Sequence, residues 1–309
     1  MGTITHKAGR IAVSKVTDVV LKNLDKDREK EILKLVDFIE KYMDGEKLDV
    51  DFNNIRKKIE DKDSAINKYI NKALDEIDPG VLKTIVLNLG FEAFLNGTKT
   101  IRKMREKYDC NVPWLILMDP TSACNLHCTG CWAAEYGNRL NLTYEEMDSV
   151  VTQGKELGTY LYMFTGGEPL VRKSDIIKLC EKHNDCAFLS FTNGTLVDEE
   201  FCQEMKRVGN LYLAISLEGF EAVNDLRRGD GVYGKVMNAM DLLKKNGLVF
   251  GTSICYTSKN TETVTSDEFI RLMVDKGCRY AMYFHSIGYG SRQQRFYGSQ
   301  YSNGDGNRK

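Results

Sequence analysis

The 309-residue sequence has almost no net charge and no long apolar run. Lys and Arg together number 43 and Asp and Glu 44, which leaves a formal charge of −1. Such a balance gives no overall attraction to nucleic acid or to an anionic membrane, and we expect neither as a partner. The first residues lack the apolar stretch of a signal peptide, and no stretch reaches the roughly 20 apolar residues of a membrane span. We therefore expect a cytoplasmic protein without a transmembrane segment.

A fourth cysteine is missing where a four-ligand metal loop would need it. Cys124, Cys128 and Cys131 stand together with the spacing Cys-x3-Cys-x2-Cys, and the next cysteine is Cys180. Nine cysteines in a chain without a leader indicate a reducing compartment. The other six lack tight spacing, and we interpret them as reduced side chains of the core. These six are Cys110, Cys180, Cys186, Cys202, Cys255 and Cys278.

Two hydrophobic patterns follow one another along the chain. In the first part apolar residues recur at helical spacing, as between Ile32 and Met43, which predicts helices. From Trp114 short continuous apolar runs alternate with amphipathic stretches, which predicts six β-α units with buried parallel strands. The predicted strands are Trp114–Met118, Tyr160–Phe164, Ala187–Phe191, Leu211–Leu217, Val249–Tyr256 and Tyr280–Phe284.

These patterns predict an α/β fold, a partial (β/α)6 barrel preceded by an α-helical N-terminal region. We divide the chain into helices at 1–109, the barrel at 110–285 and a disordered or truncated tail at 286–309. The tail is rich in Gly, Ser, Asn, Gln and Arg, with Ile287 as its only aliphatic residue. The N-terminal helices could recognise a substrate or partner, or could simply cap the barrel.

The three-cysteine loop directly follows the first predicted strand, at the end where barrels carry their chemistry. Three thiolates can hold three corners of a cubane iron–sulfur cluster and leave the fourth iron open to a ligand. The alternative is a structural zinc site with His127 as fourth ligand. Because His127 adjoins Cys128, both would have to turn inward from neighbouring positions, and the cluster is the favoured interpretation.

A second motif, Thr165-Gly166-Gly167-Glu168-Pro169, ends the second predicted strand. Two glycines at a strand end leave backbone groups accessible to a ligand, and a carboxylate can accept hydrogen bonds from an ammonium group. Taken alone, the segment is better explained as an ordinary turn. Its position one β-α unit after the cysteine loop makes a functional pairing of the two motifs the better interpretation.

Together the two motifs resemble the radical SAM superfamily, and the resemblance covers about residues 110–285. It implies a [4Fe-4S] cluster, with S-adenosylmethionine bound to the open iron. It also implies that one electron cleaves the sulfonium to methionine and a 5′-deoxyadenosyl radical, which abstracts hydrogen from a substrate. The implied cluster ligands are Cys124, Cys128 and Cys131, and the residues implied to hold the amino end of the cofactor are Gly166, Gly167 and Glu168.

Two later strand ends extend the resemblance. Ser216-Leu217-Glu218-Gly219 is similar to a Ser-Leu-Asp-Gly segment of the family, which implies that Ser216 contacts S-adenosylmethionine. Thr192 and Asn193 end the third strand and, like Glu218, are expected to face cofactor or substrate. Ordinary strand-end turns are the alternative for these positions.

The sequence departs from the family beside the third cysteine. The residue before the third cysteine is usually an aromatic that packs on the adenine, but here it is Gly130, and Trp132 follows the cysteine. The motifs are closest to the branch of the molybdenum-cofactor cyclase and the peptide-modifying enzymes. The cyclase itself fits poorly, because Met163 replaces its nucleotide-binding arginine and no cysteine after Cys278 could hold a second cluster.

We therefore expect a single-cluster enzyme that acts on a small molecule, lipid or peptide. The implied reductant is a flavodoxin or ferredoxin. Two alternatives have other functions: a catalytically inactive or truncated iron–sulfur protein, and a non-catalytic electron carrier.

Overall fold

Six parallel strands form one sheet in which the spatial order follows the chain order. The computed structural model describes residues 2–43, 50–131, 133, 137 and 139–285. The strands are β1 (Leu115–Thr121), β2 (Leu161–Gly166), β3 (Ala187–Thr192), β4 (Leu211–Ser216), β5 (Phe250–Tyr256) and β6 (Ala281–His285). The sheet curves into a half-barrel, which confirms the predicted partial (β/α)6 fold. Each predicted strand coincides with an observed one, with ends shifted by a few residues at most.

Helices precede the sheet and connect its strands. Before β1 lie α1 (Gly2–Asn23), α2 (Arg28–Met43), α3 (Phe52–Glu60), α4 (Ala65–Glu76), α5 (Pro79–Ile85), a π-helical segment (Val86–Gly97) and α6 (Thr98–Tyr108). Between the strands lie α7 (Tyr144–Leu157), a 3₁₀ turn (Pro169–Arg172), α8 (Lys173–Lys182), α9 (Glu199–Val208), α10 (Glu221–Arg228), α11 (Val232–Lys245), α12 (Thr261–Val264) and α13 (Asp267–Lys276). Within the described ranges, no helix has the length and apolar character to cross a bilayer.

The main core lies between the sheet and the connecting helices. The rings of Tyr162, Phe164 and Phe188 are fully buried on this outer face. Phe188 stacks on both of the others, with ring centroids 5.7 Å apart in each pair. Burying a large side chain of this kind stabilises the fold by about 1.5–3 kcal/mol. Because the buried strands need many such side chains, they appear in the sequence as short apolar runs. The capping box of Thr143 and Glu146 starts α7, as their spacing indicates.

The scattered cysteines do not all belong to the core. Cys180, Cys186 and Cys202 are buried, as expected, and Cys255 and Cys278 are partly buried. Cys110 is exposed, so the prediction was wrong for this residue. It lies just beyond α6, which ends with Asp109 in the left-handed conformation, outside the packed layers.

The N-terminal helices pack across the amino ends of the strands, at the opposite end of the sheet from the cysteine loop. Asn88 in the π-helical segment donates from Nδ2 to the carbonyl oxygens of Asn184 and Cys186, 3.0 and 2.8 Å away, just before β3. Ahead of β1, the indole of Trp114 donates to the Ala93 carbonyl. A Cβ added at Gly97 would lie 2.5 Å from the Gly158 carbonyl oxygen, so only glycine permits this approach. This placement favours a capping role for these helices.

A buried carboxylate attaches α1 to this cap. Glu92 is fully buried, and its Oε1 accepts from Arg10 Nη1 at 2.8 Å. Its Oε2 lies 2.8 Å from His6 Nε2, and Arg10 also donates to Asn88 Oδ1. A charge removed from water needs such partners, so the polar cluster fixes how α1 sits on the π-helical segment.

Replacing Arg10 by methionine should destabilise the protein by about 2–3 kcal/mol, because Glu92 would keep a buried charge with one partner fewer. Chemical denaturation measures the change. Lys7→Met is the matched control, since it removes an exposed cation from the same helix and should shift the unfolding free energy by less than about 0.5 kcal/mol. Equal effects of the two substitutions would contradict this account of Glu92.

Candidate functional site

The cysteine loop begins at a bulge in β1. Met118 pairs with Phe164, but the next pair is Thr121 with Gly166, so β1 uses one more residue than β2 over this stretch. A bulge of this kind bends a strand and re-aims the side chains that follow. It lies at Asp119 and Pro120, and it turns the chain out of the sheet just before Cys124.

The two glycines of the second motif allow the loop to pack against β2. The Gly167 N–H donates to the Thr121 carbonyl at 2.9 Å, and the Glu168 N–H donates to the Ala123 carbonyl at 2.8 Å. A Cβ at Gly167 would lie 2.2 Å from the Ala123 carbonyl oxygen. Gly166 has φ +104°, and a Cβ there would lie 2.7 Å from the Thr121 carbonyl oxygen. The glycines are therefore needed for close packing on the cysteine loop, a reason different from the ligand access that the sequence indicated.

Glu168 is almost completely buried and joins β2 to the end of β3. Its Oε1 accepts from the Leu170 N–H at 3.0 Å and from Thr192 Oγ1 at 2.7 Å, and its Oε2 accepts from the Asn193 N–H at 2.8 Å. Burial raises the pKa of this carboxyl, and the hydrogen bonds oppose the rise. A carboxylate has about four acceptor positions, so one of them is left over.

Asn193 extends this connection to the first cysteine. Its Nδ2 donates to Asn125 Oδ1 at 2.8 Å and lies 4.0 Å from Cys124 Sγ. The Leu126 N–H also lies 3.4 Å from this sulfur. Burial raises the pKa of the Cys124 thiol, and the hydrogen bond from the Leu126 N–H opposes the rise. Two N–H donors thus approach a sulfur that would carry charge as a thiolate.

Two arginines of α10 reach the second cysteine from the other side. Arg228 Nη1 lies 3.9 Å from Cys128 Sγ, and its Nη2 donates to Glu218 Oε1 at 2.5 Å. Arg227 donates to the same oxygen, and its carbonyl accepts from the Thr129 N–H at 2.7 Å inside the cysteine loop. Burial raises the pKa of the Cys128 thiol, and the positive charge of Arg228 opposes the rise.

This pair of arginines was not predicted from the sequence. Their only signal was two consecutive basic residues on a short segment after Ser216–Gly219, and that segment was not predicted to be helical. Glu218, which was expected to face cofactor or substrate, is buried and binds both arginines. Its Oε2 accepts from the Cys255 N–H at 3.1 Å.

The remaining residues named from the sequence lie around the same strand ends. Ser216 pairs with Ser253 across β4 and β5 and is partly buried, and its hydroxyl has no hydrogen-bond partner within the part of the chain that the structure describes. Gly130 is buried with φ +70°, which a bulky aromatic would not adopt readily. Trp132 lies outside the described residues, as does the tail 286–309.

The cysteine loop fits a cluster better than a single metal ion. Among the described residues, no group of three His, Cys, Asp or Glu side chains is placed to hold one metal ion. A tetrahedral zinc site with Zn–S bonds of about 2.3 Å would hold its sulfurs about 3.8 Å apart. His127 is exposed whereas Cys128 is partly buried, so these neighbours face different surroundings. Three thiols with N–H donors at two sulfurs have the chemistry of an iron–sulfur ligand set.

Comparison with known proteins identifies related sequences over the barrel. The family model described as "Radical SAM superfamily" matches residues 118–280, more than half of the chain. The Fe-coproporphyrin III synthase of Methanosarcina barkeri is 28% identical over 157 residues, which cover 48% of this chain and 39% of the relative. The PqqA peptide cyclase of Granulibacter bethesdensis is 27% identical over 158 residues, covering 49% of this chain and 42% of the relative.

A solved structure shows the same fold. The structure of Streptococcus suis SuiB bound to S-adenosylmethionine aligns with a TM-score of 0.55 and 16% identity, over 64% of this chain and 47% of SuiB. The chain spans about two-fifths of the length of the Fe-coproporphyrin III synthase and of the PqqA peptide cyclase.

Gly167→Ala should displace the cysteine loop, because the new Cβ would lie 2.2 Å from a backbone oxygen that cannot move alone. We expect a loss of about 1–3 kcal/mol of stability and a clear fall in iron bound after anaerobic reconstitution. Gly234→Ala is the control, since a Cβ at this exposed position of α11 meets nothing within 4 Å. Normal iron content in the Gly167 variant would refute the packing role assigned to this glycine.

Proposed function

The chain belongs to the radical SAM superfamily, and from that premise we propose that it cleaves S-adenosylmethionine reductively at a [4Fe-4S] cluster held by Cys124, Cys128 and Cys131. Membership supports an enzyme with S-adenosylmethionine-dependent radical chemistry, and the family implies an iron–sulfur cluster. The cluster type, the ligand set and the reaction of the radical are the proposed parts.

The observation that carries the proposal is the way the cysteine loop is held. The Gly167 and Glu168 backbone supports it from β2, Asn193 reaches it from β3, and the arginines of α10 reach it from the end of β4. A loop held from three sides keeps its thiols in place, and among the described residues no group of three metal-ligating side chains is placed to hold a single ion there. Preorganisation of this kind suits a cluster with one iron reserved for another ligand.

When bound, such a cluster supplies one electron to the sulfonium of S-adenosylmethionine, which yields methionine and a 5′-deoxyadenosyl radical. The residues of the chain bind and orient the cofactor and keep water away. We assign the amino end of the cofactor to Gly166, Gly167 and Glu168, whose carboxylate has one acceptor position left. We assign its carboxylate to Ser216, whose hydroxyl is unpartnered among the described residues.

Thr192, Asn193 and Glu218 then have a supporting role in this assignment. Thr192 and Asn193 hold the Glu168 carboxylate in place, and Glu218 holds the two arginines beside Cys128. Their side chains thus fix the residues that meet the cofactor and the cluster, which refines the expectation that they face cofactor or substrate directly.

We further propose a peptide or a small molecule as the substrate and a flavodoxin- or ferredoxin-type protein as the reductant. A relative named as a PqqA peptide cyclase and another named as an Fe-coproporphyrin III synthase are each similar to about half of this chain. Since relatives of such different names share sequence with the chain, the substrate class depends on features beyond the common fold.

Anaerobic reconstitution, reduction with dithionite and an assay for 5′-deoxyadenosine test the proposal. We expect iron and sulfide near one [4Fe-4S] cluster per chain and slow formation of 5′-deoxyadenosine. Cys128→Ala should abolish the cluster absorbance, whereas Cys186→Ala, which alters a buried cysteine of the main core, should retain it.

Three results would contradict parts of the proposal. A colourless protein with stoichiometric zinc would refute the cluster. Equal loss of absorbance in the two cysteine variants would refute the ligand assignment. A full cluster that forms no 5′-deoxyadenosine would identify the catalytically inactive alternative.

A further inference from the structure

A cavity of about 400 Å³ opens beside the carboxyl end of β1. Its walls come from the bulge of β1, from the segment at 140–142 that runs along this strand, and from the end of β2. The lining residues are Asp119, Thr121, Ser122, Ala133, Leu140, Asn141, Leu142 and Gly166. A space of this size suits a side chain or a small molecule.

Asp119 contributes a carboxylate without a partner to this cavity. Leu117 and Asp119 are exposed on one face of β1, whereas Met118 and Pro120 are buried on the other. Within the described ranges, the Asp119 carboxylate has no hydrogen bond and no ion pair, and partial burial raises its pKa with no cation to oppose the rise. A carboxylate in such surroundings gains more from a cationic ligand than one that is fully hydrated.

The other polar groups of the lining are largely committed to the loop itself. Thr121 Oγ1 accepts from the Ala123 N–H at 3.0 Å, and Ser122 Oγ accepts from the Leu140 N–H at 3.0 Å. Leu140, with Leu142 and Ala133, supplies apolar surface. Among the described lining residues, the cavity therefore offers one free anionic group, Asp119, with the Asn141 amide and apolar surface beside it, which fits a cation carried on a short aliphatic chain.

The cavity lies to one side of the residues assigned to the cofactor. It shares only Gly166 with them. Glu168, Thr192 and Asn193 bond to one another across β2 and β3, on the side of Gly166 that faces away from β1. A ligand in the cavity would thus lie next to the cofactor without occupying the same contacts, as a substrate must.

We propose that this cavity binds the substrate through an alkylammonium or guanidinium group, with Asp119 as its anionic anchor. The proposal rests on the proposed function and names the substrate chemistry at that site. A basic side chain of a peptide and a free aliphatic amine share this chemistry. Asp119 is a substrate-positioning residue in this account, and the reacting carbon lies elsewhere on the substrate.

Binding is measured on the full chain by ligand-observed NMR titration, so the result does not depend on turnover. The probes are n-butylammonium chloride, the neutral 1-butanol, and a short peptide with one lysine. We expect both cationic probes to bind and 1-butanol to bind at least tenfold more weakly. Asp119→Asn should weaken the cationic probes about 10- to 100-fold, the loss expected for a charge-assisted hydrogen bond. Tighter binding of the lysine peptide would identify a basic peptide side chain as the natural ligand, and tighter binding of n-butylammonium would identify a free aliphatic amine.

Two further variants distinguish cation binding by Asp119 in the cavity from a general effect of the charge of the protein. Asp275→Asn removes an exposed carboxylate from the same barrel and should leave binding of the cations unchanged. Leu140→Lys brings a competing ammonium group to the exposed rim of the cavity and should abolish binding with Asp119 intact. These two variants keep the test decisive if Asp119→Asn folds poorly.

Two outcomes would overturn the proposal. One is equal binding of n-butylammonium by the parent protein, Asp119→Asn and Leu140→Lys. The other is a tenfold or greater loss of S-adenosylmethionine affinity in reconstituted Asp119→Asn, which would assign the cavity to the cofactor. Failure of 5′-deoxyadenosine formation with intact cation binding would instead refute the proposed function alone.

Discussion

The buried carboxylate of Glu168 is the interaction on which the rest of the site depends. Its side chain holds the end of β3, while its own N–H donates to the backbone just before Cys124. A carboxylate removed from water needs hydrogen bonds to replace its hydration, and three of them come from the surrounding strand ends, which must therefore keep their places. The position of the cysteine loop relative to β2 and β3 follows from this one group and from the two glycines before it.

The fold could be predicted largely from the sequence, because the largely buried inner strands β2 to β5 appear as continuous apolar runs. The edge strands β1 and β6 are apolar in sequence as well, but β6 is mostly exposed and β1 is exposed in part, contrary to the expected burial. The two ends of α7 are also set by local residues, its start by the capping box of Thr143 and Glu146 and its end by Gly158. The helical character of the N-terminal region was predicted, but the packing of α1 was not, since it depends on the distant Glu92. The π-helical segment was not predicted either, and the close contact of Gly97 with Gly158 cannot be read from neighbouring residues.

The candidate site could be predicted only where motif spacing carries the information. The three cysteines and Gly166–Glu168 were found from the sequence, but the reason for the glycines was not. A requirement for glycine at position 167 comes from the Ala123 carbonyl, 44 positions earlier in the chain. The arginines of α10 were missed for a similar reason, since their partners Glu218 and Cys128 come together only in the folded chain.

The placement of the N-terminal helices has a consequence for how ligands enter. These helices cover the amino ends of the strands through Asn88 and Trp114, and through the ion pair of Glu76 with Arg279 before β6. Among the described residues, these contacts cover the base of the half-barrel, and the residues assigned to the cofactor and to the substrate both lie at the carboxyl ends of the strands. On the proposed function the two ligands would bind side by side at that end, so the order in which they arrive would become part of the selectivity.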